Sequence, residues 1–384
     1  MKIAMVSPYD FAIRGGVQTH VVELSNALID AGHQVKVLAP CTGNQAVYDM
    51  RQADLITFGR TVPFVTAGSV ARISISVWYQ RKLKSVLESE RFDIVHIHEP
   101  LMPLFGLMAS YYSPSPTIGT FHAYNEGMGR GYVFWKPVLK KGAVRLNGRI
   151  AVSEPAKVFA GKYFPGDYTV IPNGVHYGRF STPAPRPTVY KEDAFNVFFV
   201  GRMSEKRKGL KYLLGAYSML KWDYPRLRLI VGGPGVPDRD SYRLMGERAI
   251  DDVIFVGPVS DEDLPGYYQH ADVFCAPNTG KESFGMIVVE AMAAGTAVVA
   301  TDILGFRSVM QDGRQGLLVE PKSERSIAEA VRRLITDPGE RTQMGINGQM
   351  TARHYNWGRV TSDITSYYET VLERRPVPPA LYKG

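Results

Sequence analysis

Short, wholly apolar runs alternate along this chain with longer stretches in which apolar positions recur every third or fourth residue. Ile3–Val6 is the first such run and ends in Ser7-Pro8. After Gly15-Gly16, Val21, Val22, Leu24, Leu28 and Ile29 line one face of a predicted helix. Ala31-Gly32-His33 stops that helix, and Val35–Ala39 is the next strand. This is a βαβ unit of ordinary length. Ile94–Ile97 and Thr117–Phe121 read as further buried strands. Strands apolar on both faces and separated by helices predict a parallel, doubly wound sheet.

The Pro-rich stretch Ser181–Pro187 interrupts the pattern and reads as a linker. The alternation then resumes with Val197–Val200, Leu227–Val231, Val253–Val256, Val273–Ala276, Ala297–Ala300 and Leu317–Val319. The expectation is an α/β chain of two Rossmann-like domains, 1–178 and 179–357, with a ligand in the cleft between them, beyond the carboxyl ends of the strands.

The composition is that of a globular protein: 45% hydrophobic and 21% charged over 384 residues, too apolar for a disordered chain. No run approaches the roughly 20 uninterrupted apolar residues of a membrane span; the longest, Phe284–Ala300, is broken by Glu290 and Gly295. The N-terminal run is too short for a signal peptide. The two cysteines, Cys41 and Cys275, lie far apart, which excludes a disulfide scaffold and fits a reducing compartment. A cytoplasmic protein that rests on a membrane is expected. The net charge of +8 is uneven: residues 1–180 hold 19 Lys and Arg against 12 Asp and Glu, and the remainder is near balance. A basic first half points to an anionic partner. Nucleic acid is disfavoured because no recognition motif accompanies the charge.

The densest chemistry lies in Gly280–Gly295. Glu282 sits in a loop, Gly285 opens a helix, and Glu290 follows within an apolar helical run. A carboxylate in such a run needs a partner, which a ribose diol would supply. The N–H groups of Gly285, Met286 and Ile287 at the helix start suit a phosphate. The bland alternative is a helix-start carboxylate and a solvent-facing Glu. A second cluster, Gly201–Gly209, follows a strand; Arg202 and Lys208 can clamp a diphosphate there, or belong to a solvated loop. Gly15-Gly16 permits close backbone approach or merely a tight turn. Neither a Gly-x-Gly-x-x-Gly nor a Walker motif is present. His122 ends a strand where it would face the cleft, although a lone His is more often structural. His96 and His98 share a strand face, which permits a metal pair, but no third ligand is evident. Asp238-Arg239-Asp240 resembles a sugar-nucleotide metal motif; two surface acids in a loop are the simpler reading.

In order along the chain, Gly15-Gly16-Val17, His96-x-His98-Glu99-Pro100, Thr120-Phe121-His122, Ile150–Ser153, Ile171–Val175, Gly201-Arg202…Lys208-Gly209 and the Glu282/Glu290 pair resemble the retaining GT-B glycosyltransferases of family 4. Met5–Tyr9 with Gly15–His20, and Gly68–Arg72, resemble most closely the bacterial phosphatidylinositol mannosyltransferases. The resemblance implies a donor set of Gly15, Gly16, Arg202, Arg207, Lys208, Glu282, Phe284, Gly285, Met286, Ile287 and Glu290. Arg202 and Lys208 would hold the diphosphate without a metal or other cofactor, Glu290 the ribose, and Glu282 and His122 the transferred sugar. His122, Glu282, Arg202 and Lys208 form the implied catalytic set. It also implies a terminal helix, 358–376, packing back on the first domain.

The acceptor and membrane set is Tyr9, Gln18, Ser69, Arg72, Arg81, Lys82 and Lys84. Its loop departs from the family: Ala67 and Ser74 stand where a polar residue and an arginine are usual. Trp78 and Tyr79 with Arg81, Lys82 and Lys84, and the basic and aromatic stretch 130–149, suit an anionic headgroup layer. The leading expectation is a monomer that moves mannose from GDP-mannose to a phosphatidylinositol-like lipid at the cytoplasmic membrane face. The alternatives are UDP-glucose-dependent transfer to diacylglycerol or another acceptor, and a non-catalytic membrane-binding protein.

Overall fold

In the computed structural model, the residues described are all except 44–47, 49, 51–52, 60, 67–68, 75–76, 101, 103, 125–138, 140–141 and 375–384, and the side chains of 64–66, 69–71 and 77. In chain order the strands are β1 Lys2–Val6, β2 Gln34–Ala39, β3 Asp54–Thr57, β4 Val62–Thr66, β5 Ser69–Ile73, β6 Ile94–His98, β7 Thr117–Phe121, β8 Gly148–Ala151, β9 Thr169–Val170, β10 Phe195–Val200, β11 Leu227–Gly232, β12 Ile254–Gly257, β13 Val273–Ala276, β14 Ala297–Thr301 and β15 Gly316–Val319.

The apolar runs pair in parallel because each is followed by a helix that carries the chain back along a sheet face. The chain forms two compact units. One holds Met1–Gly174 together with the chain from Trp357 on, and the other holds Val175–Asn356. The first sheet runs β3-β2-β1-β6-β7-β8-β9 and the second β12-β11-β10-β13-β14-β15. Every ladder within them is parallel. Strands β4 and β5 form a separate antiparallel hairpin. The strand order reverses between β1 and β6 and between β10 and β13, the positions at which doubly wound sheets bind ligands.

The first boundary between the units, at 174/175, falls before the expected 178/179 junction. The Pro-rich stretch is not a free linker. The Ala184 amide donates to Gln269 at 2.8 Å, its carbonyl lies 3.0 Å from His270, and Tyr190 is buried on the second unit. Composition alone misses such anchors. The terminal helix runs Trp357–Glu373 and belongs to the first unit. Trp357, Val360, Ile364, Tyr368 and Val371 repeat at helical spacing and are buried in that unit's core with Ile3, Leu24 and Ile118. Each such burial contributes about 1.5–3 kcal/mol, so the stripe is comparable with the whole roughly 5–15 kcal/mol margin of a domain. A Cβ on Gly174 would overlap the Trp357 ring, so a glycine is required where the chain passes it. Among the described residues no helix is long and apolar enough to cross a membrane.

Candidate active site

In the second unit, β10 and β13 are neighbours, so the loops that leave their carboxyl ends meet. Gly209 has φ +74°, and a Cβ there would overlap the Pro277 carbonyl. The Thr279 amide also donates to the Arg207 carbonyl at 2.8 Å. These close approaches gather three cations and two carboxylates. Glu282 Oε2 lies 3.2 Å from Lys208 Nζ and 3.6 Å from Arg207, and accepts from Asn278 Nδ2 at 3.0 Å. Glu205 pairs with Arg202 at 2.7 Å and with Arg207 at 2.8 Å. Burial pushes the Glu205 carboxyl up, but the Arg202 hydrogen bond and the charges of Arg207, Arg202 and Lys208 hold it below the usual range. The cluster keeps an excess positive charge, which suits a diphosphate.

Gly285, at φ +98°, opens the helix Met286–Ala293, and a Cβ there would lie 2.8 Å from Phe306. The N–H groups of Gly285, Met286 and Ile287 precede the helical ladder and are directed out of the helix start. Phe284 is buried, edge-on to Tyr355 with ring centroids 5.5 Å apart. Glu290 accepts from Tyr268 Oη at 2.9 Å. Burial pushes its carboxyl up to about 7, against the Tyr268 hydrogen bond and the charges of Arg179 and Lys208, with Asp261 adding to the rise.

In the first unit, β1, β6 and β7 are adjacent, and their ends carry the Gly15-Gly16 loop, His98-Glu99 and His122. Gly15, in extended backbone, precedes the helix Gly16–Asp30 and donates to Tyr48 Oη at 2.7 Å. Gly16 is exposed, with no atom within 4 Å of a Cβ position. His122 Nε2 lies 3.0 Å from His98 Nδ1, which leaves Nδ1 as its nitrogen for a ligand. The amides of His122 and Ala123 donate to Glu99 Oε1 at 2.7 and 2.6 Å. Glu99 is buried with φ +50°, and desolvation raises its carboxyl to about 7 although both amide bonds oppose this.

His20 completes the cluster. It offers a nitrogen within 4.8 Å of those of His98 and His122, so the structure supplies the third imidazole that the sequence reading lacked. His96 is instead committed to Tyr368 Oη at 2.7 Å and Thr120 Oγ1 at 2.6 Å. Burial lowers all four histidines, His20 and His96 to about 3.

Other expected positions differ in role. Gln18 is buried and donates to the carbonyls of Asp10 and Ile13 at 3.2 and 3.3 Å, so both amide hydrogens hold the loop rather than face an acceptor. Asp238 caps the helix Arg239–Glu247, and Asp240 pairs with Lys206 at 2.8 Å. Tyr9 bridges Ile73, and the Asp10 amide donates to the Arg72 carbonyl at 3.1 Å, which brings Tyr9 and Arg72 to one edge of β5. Ser69 starts that strand. Ser74 is buried, its hydroxyl unpaired among the described residues. Arg81 and Lys84 are exposed on the helix Gln80–Ser89, beside Trp78 at 88% exposure. Lys82 donates to the Thr57 carbonyl at 2.8 Å. Ala67, Gly68, Arg130, Tyr132, Phe134, Trp135, Lys136, Lys140 and Lys141 lie outside the described residues. Asn278 and Tyr268 carry site contacts that no motif signalled, and Glu205 and His20, although inside the Gly201–Gly209 and Gly15–His20 segments, carry contacts to which the sequence reading gave no role.

Two parallel Rossmann-like units with these loop ends define a GT-B glycosyltransferase. Residues 14–179 match the family model "Glycosyltransferase Family 4", and residues 183–351 match "Glycosyl transferases group 1". The chain is 37% identical to the phosphatidyl-myo-inositol mannosyltransferase of Mycobacterium tuberculosis over 97% of both chains. It is 32% identical to that of Propionibacterium freudenreichii over 96% of this chain and 94% of the relative. A glycosyltransferase from Rickettsia africae shares the fold at TM-score 0.78 and 17% identity, covering 97% of this chain and 98% of that one. Anabaena HepE in complex with UDP-glucose does so at TM-score 0.76 and 18% identity, covering 96% and 100%. The chain belongs to the glycosyltransferase family whose curated members include the phosphatidyl-myo-inositol mannosyltransferases, and it is a hexosyltransferase.

Proposed function

We propose that this enzyme moves mannose from GDP-mannose, with retention, to a phosphatidylinositol-like lipid at the cytoplasmic face of the membrane, as a peripherally bound monomer. The observation that carries the donor half is the meeting of Arg207 and Lys208 with Glu282, and of Arg202 and Arg207 with Glu205, beside the start of the helix Met286–Ala293. A departing diphosphate gains negative charge as the glycosidic bond breaks. Preorganised cations and helix N–H groups stabilise that charge most in the transition state. Lys208 and Arg202 exchange their present carboxylate partners for phosphate oxygens. Glu290 takes the ribose, and Glu282 and His122 take the transferred sugar.

The leaving phosphate oxygen accepts the acceptor's proton on the same face of the sugar, so no second carboxylate need act as nucleophile. The cationic clamp takes the place of a metal, and no cofactor is required. Mannose and the lipid acceptor are inferred from the relatives at 32–37% identity. The exposed basic helix Gln80–Ser89 supports attachment to anionic lipid.

Ser74 favours a second reading. An arginine is usual at its position in the resembling family, and here the residue is a buried serine that carries no charge to an inositol phosphate. Transfer from UDP-glucose to diacylglycerol, or to another uncharged acceptor, is that reading. Release of GDP or UDP is measured with each donor, with phosphatidylinositol or diacylglycerol vesicles, with and without excess EDTA. GDP release dependent on phosphatidylinositol and unchanged by EDTA is expected. UDP release with diacylglycerol selects the alternative, and loss of activity in EDTA that manganese restores overturns the metal-independent mechanism.

A further inference from the structure

Tyr268 lies in the short helix Leu264–Gln269 and is fully buried. Its ring is held edge-on by Phe180, Phe198 and Phe274, with centroids 5.7, 5.5 and 5.0 Å away. Its carbonyl accepts from the Thr296 hydroxyl at 2.6 Å. Three perpendicular aromatic contacts and a pinned backbone leave the phenol one orientation. In that apolar cage the hydroxyl must find an acceptor or pay the desolvation of an unmade bond. The acceptor it finds is Glu290 Oε2 at 2.9 Å.

We propose that Tyr268 is a positioning residue for the donor: its hydroxyl holds Oε2 of Glu290 and thereby presents Oε1 of the same carboxylate to the ribose diol. The inference rests on the assignment of Glu290 to the ribose. The charged and titratable groups that face this carboxylate are Tyr268, Arg179, Asp261 and Lys208. Burial holds the Glu290 carboxyl at about 7, and the Tyr268 hydrogen bond is the largest influence that keeps it from rising further. Without the hydroxyl, Glu290 loses the bond that fixes Oε2, and its carboxyl is pushed further up. A protonated carboxyl loses acceptor capacity toward two hydroxyls.

The test is calorimetric binding of GDP and of 2′,3′-dideoxy-GDP to the wild type, Tyr268→Phe, Glu290→Ala and the double variant, from about pH 6 to about pH 9. The ratio of the two affinities reads only the diol contact. The wild type is expected to prefer GDP, and Glu290→Ala to lose that preference. Tyr268→Phe should lose about tenfold of it near pH 7 and recover part of it as pH rises and Glu290 ionises. In the Glu290→Ala background, Tyr268→Phe should change the ratio no further. Thermal melts of every variant separate this from unfolding, and only folded variants enter the comparison; should Tyr268→Phe not fold, Tyr268→His, which keeps a ring donor in the cage, is compared with Tyr268→Leu, which does not. Full preference with an unshifted pH profile in the hydroxyl-free variant, alongside its loss in Glu290→Ala, overturns the role of Tyr268 and leaves the ribose assignment standing. Undiminished preference in Glu290→Ala overturns both.

Discussion

Glu282 and Glu290 are eight positions apart in sequence, yet their surroundings give them opposite tasks. Glu282 sits among Lys208, Arg207 and Asn278. Glu290 sits in an apolar helical run with the Tyr268 phenol as its hydrogen-bond donor. Glu290→Ala is expected to weaken donor affinity with little change in kcat. Glu282→Ala is expected to lower kcat as well, because in the proposed function it is assigned to the reacting sugar. Losing a charge-assisted hydrogen bond costs about 1.5–3 kcal/mol, roughly 10- to 150-fold. Steady-state kinetics with donor-binding measurements check both, and wild-type behaviour in the pair refutes the site. Burial puts the Glu290 carboxyl at about 7, so donor KM should rise as pH falls through neutrality while kcat changes less. A KM flat across that range removes Glu290 from the donor site. At this scale the sequence was partly legible. Arg202, Lys208, Glu282 and Glu290 stand in recognisable order. Tyr268 was not legible, because a tyrosine in an aromatic pair reads as core and its partner lies 22 residues away on a separate helix. His20 stood in the Gly15–His20 segment, but its meeting with His98 and His122 was not legible, because its helix reaches them only through the sheet order.

At the level of elements the reading was closer. Strands apolar on both faces announce themselves, and β7 and β13 begin and end where the alternation places them. What composition misjudged was Ser181–Pro187, since proline describes local stiffness and says nothing of the anchors at Gln269 and His270. The joint between the β10 and β13 loops yields a test of stability. Gly209→Ala adds a left-handed backbone penalty to an overlap with the Pro277 carbonyl. A loss of more than about 1 kcal/mol is expected, read as a lower melting temperature together with weaker donor binding. An unaltered melt means the loop relaxes without cost. The helix Gln80–Ser89 yields a second test. Cosedimentation with anionic vesicles should be strong at low salt, weak with neutral vesicles, and lost as salt rises. Replacing Arg81, Lys82 and Lys84 with Ser should reduce both binding and lipid glycosylation. Equal sedimentation with neutral and anionic vesicles, or none with either, rejects the membrane role of this helix.

Over the whole molecule, the imidazoles of the first unit set its response to acid. His20 and His96 titrate near 3 in the folded chain against 6.5 when free, and His98 and His122 are also lowered, each chiefly by burial. The unfolded chain therefore binds more protons below about 6.5, and this contribution to stability is full above that value and lost as pH falls toward 3. Glu99, raised to about 7, acts in the opposite sense between its free value of 4.5 and 7. Glu290, likewise raised to about 7, acts with Glu99, and the four imidazoles outweigh the two carboxyls. Melting temperature should decline from pH 7 to pH 5, as calorimetry can check, and a rise over that range contradicts the buried neutral cluster.

The terminal helix has a consequence for how the protein is made. Tyr368 hydrogen-bonds His96 across 272 residues of sequence, and Trp357, Val360 and Ile364 fill the same core. A ribosome delivers residues 1–174 first, then the whole of 175–356, and only afterwards the stripe that seals the first unit. The later-made unit can close during synthesis while the earlier one waits with an apolar seam exposed to chaperones and to neighbouring nascent chains. Slowing translation across the codons for residues 175–373 should therefore raise aggregation more than slowing it across those for 1–174, because the seam stays open until the helix Trp357–Glu373 is delivered.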